Sequence, residues 1–392
     1  MNYMQTQQTL KDDPGMRLEL SGAQREARLG FRQFVQEHIT PHAGRWDLEE
    51  RVPRELIERL RENGYLGSPL SVDAGGGGLD AITYGLLTEE LARGCSSVRS
   101  LLTVHDMVAL AVWRWGSREL KTKVGTAAAR AELLCALALT EPSVGSDAAG
   151  VETEARAEGD AYVINGRKKW ITYGQIADLF LTLVRCDGKL TAFLVPADAK
   201  GFTRRPQRGI VGTRASLLAE LEFEDCYVPA SNLVGRIGFG LSHVVGAALD
   251  HGRYSVAWGA VGIAQACLDA CLEYTSSRKQ FGVELSEHQL VQRKLTNMIT
   301  DTRAARLLCY RAGYLRQNGD PGAASETLVA KYFASKAAVR AANDAVQLHG
   351  ANGLTDDYPV ARYLRDARVT EIIEGSTQIQ QISIAKNPPG EL

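Results

Sequence analysis

The strongest constraint on the fold of this 392-residue chain is a change of hydrophobic period, from helical to alternating and back. In the stretch 18–135, Leu56, Ile57 and Leu60 recur at helical spacing, and Gly64 supplies a stop. Over 136–240 the period falls to two: Leu221 and Phe223 alternate with Glu220, Glu222 and Glu224, as on a half-buried strand. In the same stretch Tyr162–Trp170 reads as a hairpin turning at Asn165-Gly166. Helix returns over 241–388. Ser286–Gln289 has the spacing of a capping box, and Leu295, Met298, Ile299, Thr302 and Ala305 follow on one face. The alanine-rich run Val329–Gln347, uncharged over much of its length, predicts a buried helix. Strands separated by turn signals rather than helices predict an antiparallel β-domain, not a Rossmann unit. The three stretches are therefore expected as three domains of an α+β fold, with no internal repeat.

The length suits two or three packed domains. A net charge of −1 gives no basic excess for nucleic acid or an anionic membrane surface. Apolar runs such as Ala177–Val184 are too short to cross a bilayer, and the polar start Met1–Gln8 lacks a signal-peptide pattern. The seven cysteines are odd in number and scattered without a CxxC pair. Neither a disulfide framework nor a zinc site is supported, no metal is expected, and a reducing cytoplasm is the natural compartment. Cys267 and Cys271 share a helix face suited to packing. Gly75–Gly78 lacks the Lys-Ser/Thr ending of a phosphate loop and reads as a connector.

Glu374 is the residue with most chemical content. It lies between Ile372-Ile373 and Gly375-Ser376, where Ser376 can cap a helix carrying Ile379 and Ile382. A carboxylate held against an apolar pocket gains proton affinity and becomes a stronger base when ionised, as proton abstraction from carbon requires. A surface glutamate at a helix start, favoured there by the macrodipole, fits the same segment.

Five motifs bear on that choice: Leu139–Asp147, Lys169–Thr172, Arg278–Gly282, Gln347–Gly353 and Ile373–Ser376. Their identity and order resemble those of the acyl-CoA dehydrogenases, over nearly the whole chain. The resemblance implies a helical N-terminal domain, a middle β-domain, a C-terminal four-helix bundle and bound FAD. Flavin reduction places negative charge around N1 and O2, which calls for hydrogen-bond donors. By the resemblance, Thr140 with Leu137 and Leu139 meets the isoalloxazine edge, and Trp170 and Thr172 form a flavin wall and hydrogen-bond partner. Gly145 and Ser146 lie where the backbone approaches pyrophosphate and substrate. Arg278, Gln280 and Phe281, with Gln347, Gly350 and Gly353, reach the FAD of a neighbouring subunit, so the site would need a homodimer or homotetramer. Gln289, Ser376 and Gln378 complete the implied FAD contacts. Taken singly, Thr140–Ser143 is also a strand-ending turn, Trp170 a core aromatic and Arg278 a surface residue ending a helix.

In this frame Glu374 removes the α-proton of an acyl thioester, the β-hydride passes to the flavin, and Gly375 lies against the substrate. Some branches of the family place the base near Asp250–Tyr254; here Gly252 stands at that position and cannot act. The segment Cys95–Thr103 resembles two branches: glutaryl-CoA dehydrogenases, where an Arg at the place of Arg99 faces a distal carboxylate, and dehydrogenases of carrier-protein-bound acyl groups that make methoxymalonyl-type extender units. Arg253–Gly259 fits both as a substrate-side segment, and the Ile372–Ser376 spelling leans to the second. The alternative for Arg99 is a structural salt bridge with Asp106 or Glu89. The expected activity is FAD-dependent oxidation of a short polar acyl group on an acyl carrier protein, with coenzyme A thioesters such as glutaryl-CoA as the alternative. An electron-transfer flavoprotein or another acceptor would take the electrons. A flavin monooxygenase or a non-catalytic flavoprotein on the same fold would have no use for Glu374.

Overall fold

A computed structural model describes residues 19–388; the readings of Met1–Gln8 and of residue 18 lie outside them. The chain opens with helices α1 (Gly22–His38), α2 (Ala43–Glu49), α3 (Arg54–Glu62), α4 (Ala81–Gly94) and α5 (Ser96–Trp115), followed by the short α6 (Arg118–Leu120) and α7 (Thr126–Ala129). Helix α3 buries Leu56, Ile57 and Leu60 and stops where Gly64 takes a left-handed φ of 65°. Helix α5 is buried from Ser96 through Ala109, so it runs through the interior rather than along a surface.

The middle of the chain forms one eight-stranded sheet: β1 (Cys135–Ala138), β2 (Glu154–Glu158), β3 (Ala161–Ile171), β4 (Leu179–Cys186), β5 (Lys189–Pro196), β6 (Phe202–Pro206), β7 (Ala219–Pro229) and β8 (Leu233–Val234). Leu221 and Phe223 of β7 point into its core, as their alternation requires. Two expectations are corrected here. The sheet is mixed, because β1 and β2 both pair with β4 in parallel; alternation reports which face is buried, not strand direction. Asn165-Gly166 is no hairpin turn but lies inside the single long strand β3, at a bulge. Gly166 is needed there because it takes a φ of 144° and a Cβ would come within 2.6 Å of Thr153.

The remainder is helical: α8 (Gly246–Ser277), a two-residue hairpin of β9 (Lys279–Gln280) and β10 (Val283–Glu284), then α9 (Gln289–Gln317), α10 (Ala323–His349), α11 (Val360–Thr370) and α12 (Thr377–Lys386). Helices α8, α9 and α10 pack on one another, with α11 and α12 against α10. The alanines of α10 from Ala330 to Ala345 are buried, which lets the helices approach closely. The capping box falls two residues earlier than expected. Glu284 and Glu287 form it around a short 3₁₀ turn that absorbs Ser286, and α9 starts at Gln289 without a side-chain cap. Residues 240–277 are apolar enough by length and composition to cross a membrane, which the reading of short apolar runs missed; 78% of the most apolar window is buried inside the protein. All seven cysteines are buried and unpaired.

Candidate active site

Glu374 sits in the turn between α11 and α12, closed by the Thr377 amide donating to the Glu371 carbonyl at 2.9 Å. Ser376 caps α12 as expected, its hydroxyl accepting from the Ile379 amide at 3.4 Å. Glu374 adopts a left-handed φ of 56°, a costly conformation for a residue with a Cβ, and its backbone is held from three helices. Arg253 Nε of α8 donates to its carbonyl at 3.1 Å. Gln380 Nε2 of α12 donates to the carbonyls of Glu374 and Gly375, each at 3.1 Å. Lys331 Nζ of α10 donates to the Gly375 carbonyl at 2.8 Å.

The side chain enters the gap that Gly252 leaves. A Cβ at Gly252 would stand 2.6 Å from Glu374 Oε2 and 2.8 Å from Met107 Sδ, so the carboxylate lies between α8 and α5. Glu374 Oε2 is buried with no hydrogen-bond partner among the described residues. Burial raises the Glu374 pKa to about 7, against the pull of Arg253, Lys331 and Arg99. Such a carboxyl ionises near neutral pH and then holds a basic, underused oxygen, as a base acting on carbon must.

Arg99 lies on α5 and is almost wholly buried. The salt bridge with Asp106 or Glu89 is not what the structure contains. Glu89 is taken by Arg28 and Arg306, and Asp106 accepts from the Gly67 amide at 2.7 Å. The Arg99 guanidinium instead meets Thr103 Oγ1 at 3.2 Å and Ser96 Oγ at 3.4 Å, while Nε has no hydrogen-bond partner among the described residues. Burial lowers its pKa, opposed first by the charge of Glu374. Gly259 makes room for it, since a Cβ there would lie 3.1 Å from Arg99 Cδ.

The end of the sheet meets α8 close to Gly252. Leu137 and Leu139, half-buried, pack with Val144, Val245 and Leu249, the last on α8 less than one turn before Gly252. The Lys169 amide donates to the Thr140 carbonyl at 2.8 Å, which joins the Thr140 loop to the end of β3. Under that loop Lys168, wholly buried, donates to Glu141 Oε1 at 2.7 Å and to the Leu139 carbonyl at 3.1 Å. Gly145 and Ser146 are exposed on the loop. Trp170 is no core aromatic: it has a φ of 63° and is 49% exposed, next to half-buried Thr172. The Tyr173 hydroxyl donates to the Ser97 carbonyl of α5 at 3.0 Å, tying this edge to the helix of Arg99.

The third group is elsewhere. Arg278 and Gln280 line a groove with Gly350 and Asn352, beside the stacked rings of Tyr274 and His349. Gln289 and Gln347 are exposed, and Gly353 is packed against Val346. Phe281, with a φ of 54°, stands 96% exposed at the tip of the β9–β10 hairpin. Gly252 and Arg278 are about 39 Å apart along α8, from the ~1.5 Å rise per helical residue. One chain therefore keeps Arg278, Gln280 and Gly350 far from Glu374, whereas Gln378 lies exposed on the first turn of α12.

Three family models cover most of the chain: the acyl-CoA dehydrogenase N-terminal domain over residues 21–132, the middle domain over 136–226 and the C-terminal domain over 238–388. The chain belongs to the acyl-CoA dehydrogenase family. The short-chain specific acyl-CoA dehydrogenase of Rattus norvegicus mitochondria is 36% identical over 374 residues, covering 94% of this chain and 90% of that one. Among solved structures, butyryl-CoA dehydrogenase from Megasphaera elsdenii is 33% identical with a TM-score of 0.91, over 95% of this chain and 99% of that one. A glutaryl-CoA dehydrogenase from Mycobacterium smegmatis in complex with FADH2 is 31% identical with a TM-score of 0.90, over 95% and 96%. FkbI, for biosynthesis of the methoxymalonyl extender unit of the polyketide Fk520, is 31% identical with a TM-score of 0.83, over 92% and 98%.

Acyl-CoA dehydrogenases are FAD-dependent oxidoreductases, and the residues here fit that cofactor. The Thr140 loop and the half-exposed Trp170 offer polar groups and an aromatic face at the end of the sheet. Gly145 and Gly350 have open space where a Cβ would be, so backbone can approach a phosphate, and Arg278 supplies a permanent cation. Lys168, Gln380 and Lys331 were missed from sequence. Lys331 had one signal, its place at the start of an alanine-rich run.

Proposed function

We propose that this acyl-CoA dehydrogenase acts on a short, polar acyl group carried by an acyl carrier protein, in polyketide extender-unit biosynthesis, with Glu374 as the base. Arg99 is the observation that carries the polar acyl group: a buried guanidinium with an unused Nε is stabilised by a substrate that brings an acceptor, and left poorly paired by an alkyl chain. The likeness to FkbI and the Ile372–Ser376 spelling support a carrier protein. The same Arg99 and the likeness to a glutaryl-CoA dehydrogenase support glutaryl-CoA, or another short-chain coenzyme A thioester, as the second reading.

In this reading Glu374 Oε2 takes the α-proton, Arg253 and Gln380 keep the turn from yielding, and Gly375 and Ser146 border the thioester. FAD supplies the acceptor for the β-hydride, and an electron-transfer flavoprotein or another acceptor removes the electrons afterwards. Leu137, Leu139, Thr140, Trp170 and Thr172 would hold the flavin, with Ser376 and Gln378 close by. The distant groove of Arg278, Gln280 and Gly350, and exposed Phe281, Gln289 and Gln347, serve the FAD of a neighbouring chain in a homodimer or homotetramer. Domain limits at 18–135, 136–240 and 241–388 and a cytoplasmic location belong to the same reading. Glu374 weighs against a monooxygenase.

Anaerobic flavin bleaching by matched polar and butyryl thioesters, each on coenzyme A and on carrier protein, tests the proposal. Glu374→Gln should keep FAD and lose at least about a hundredfold in rate. Wild type should favour polar acyl groups, and Arg99→Met should narrow that preference. Equal rates for Glu374→Gln and wild type would remove the base; an alkyl preference untouched by Arg99→Met would make Arg99 structural.

A further inference from the structure

We propose that Lys331 is a positioning residue for the base: from α10 it anchors the Gly375 carbonyl and holds Glu374 in its anionic form. This rests on Glu374 being the base. Lys331 is wholly buried in the alanine-rich helix α10, where an ammonium is costly unless compensated. Its hydrogen bond to the Gly375 carbonyl, 2.8 Å long, is the direct compensation, and no carboxylate lies within salt-bridge distance among the described residues. Its charge is balanced through space, first by Glu374 and more weakly by Glu371, while Arg253 opposes it.

The arrangement has two separable parts. One is mechanical. The peptide unit is planar, so fixing the Glu374 and Gly375 carbonyls fixes the planes on the C-terminal side of the base. Lys331 Nζ, Gln380 Nε2 and Arg253 Nε do this from α10, α12 and α8, and they restrain the left-handed backbone that aims the carboxylate into the Gly252 gap. The other part is electrostatic and belongs to the cations alone. The charged groups facing Glu374 are Arg99 of α5, Arg253 of α8 and Lys331 of α10, with Glu371 in the turn near Lys331. Gln380 and Met107 face it as neutral groups. Burial brings the Lys331 pKa down to about 8, close above that of the base. Lys331 is thus the cation that can lose its proton in the range where the base works.

The test titrates Glu374 in the substrate-free, FAD-loaded enzyme by difference infrared spectroscopy, using the carboxylic C=O band that Glu374→Gln abolishes. Lys331→Met should move the Glu374 transition upward by about half to one pH unit, the direction for loss of a nearby cation, and Lys331→Arg should restore it. Gln380→Met, which removes hydrogen bonds but no charge, should leave the transition in place. Both Lys331→Met and Gln380→Met should slow flavin reduction by at least about tenfold, as expected for a displaced base. If Lys331→Met does not fold, Lys331→Gln carries the same expectation. The proposal is overturned if Lys331→Met titrates with wild type, or if Gln380→Met shifts the transition as far. Failure of the base assignment is recognised separately, by unimpaired flavin reduction in Glu374→Gln.

Discussion

Gly252→Ala isolates the geometry of the base from its chemistry. The added methyl carbon would lie 2.6 Å from Glu374 Oε2, 2.7 Å from its Cδ and 2.8 Å from Met107 Sδ. Ordinary contact begins near 3.4 Å, so the carboxylate must retreat by about 0.8 Å or the helices must part. Overpacking of this kind costs about 1–3 kcal/mol, offset in part by the ~1 kcal/mol that alanine gains over glycine inside a helix. The melting temperature should therefore fall by only a few degrees, at roughly 2–4 °C per kcal/mol. The rate should suffer more. A misplacement of about 1 Å is worth roughly a hundredfold, so flavin reduction should slow by about ten- to a hundredfold, or about 1.4–2.7 kcal/mol of barrier. Anaerobic single-turnover reduction of the FAD-loaded variant measures this, with flavin content and melting as controls. Adding Met107→Ala relieves the sulfur contact but not the carboxylate contact, so it should not restore the rate. A Gly252→Ala enzyme that keeps its FAD and reduces it within twofold of wild type would refute the reasoning.

Because burial raises the Glu374 pKa from the ordinary 4.5 to about 7, the folded protein keeps a proton that the unfolded chain has released in that window. Stability from this group is therefore present below pH 4.5 and lost as pH rises to 7. Thermal melting should show Glu374→Gln gaining on wild type across that interval and holding its advantage above it. Lys168→Met leaves Glu141 buried with only the backbone amides of Glu152 and Thr153 as donors, so melting should report a loss of about 3 kcal/mol, with FAD released more readily on gel filtration. Arg278→Ala should lower FAD retention while leaving the melting of the flavin-free protein unchanged, which flavin absorbance after dialysis checks.

The sequence was most informative where periodicity or capping chemistry is local. Leu221 and Phe223 face the core, Ser376 caps α12, and Glu374 falls in the turn before it. It misled where a local pattern has two structural causes. Asn165-Gly166 is a hairpin signal, yet the glycine is there because Thr153 of the approach to β2 leaves no space for a side chain. Nothing near Arg99 in the chain shows that Glu89 is already occupied by Arg28 and Arg306, since those partners arrive from α1 and α9. Lys331 escaped for the same reason, and both it and Gln380 work on backbone carbonyls that have no side-chain identity to read.

Helix α8 runs unbroken from Gly246 to Ser277, with Gly252 against Glu374 near its start and Arg278 at its end. On the proposed reading, one helix therefore furnishes parts to two different sites, its own and its neighbour's. Lesions at the two ends then behave like defects in two separate genes. A chain disabled at Glu374 still lends a sound Arg278, and a chain disabled at Arg278 still offers a sound Glu374. Pairing two dead chains yields one site with both faults and one site with none.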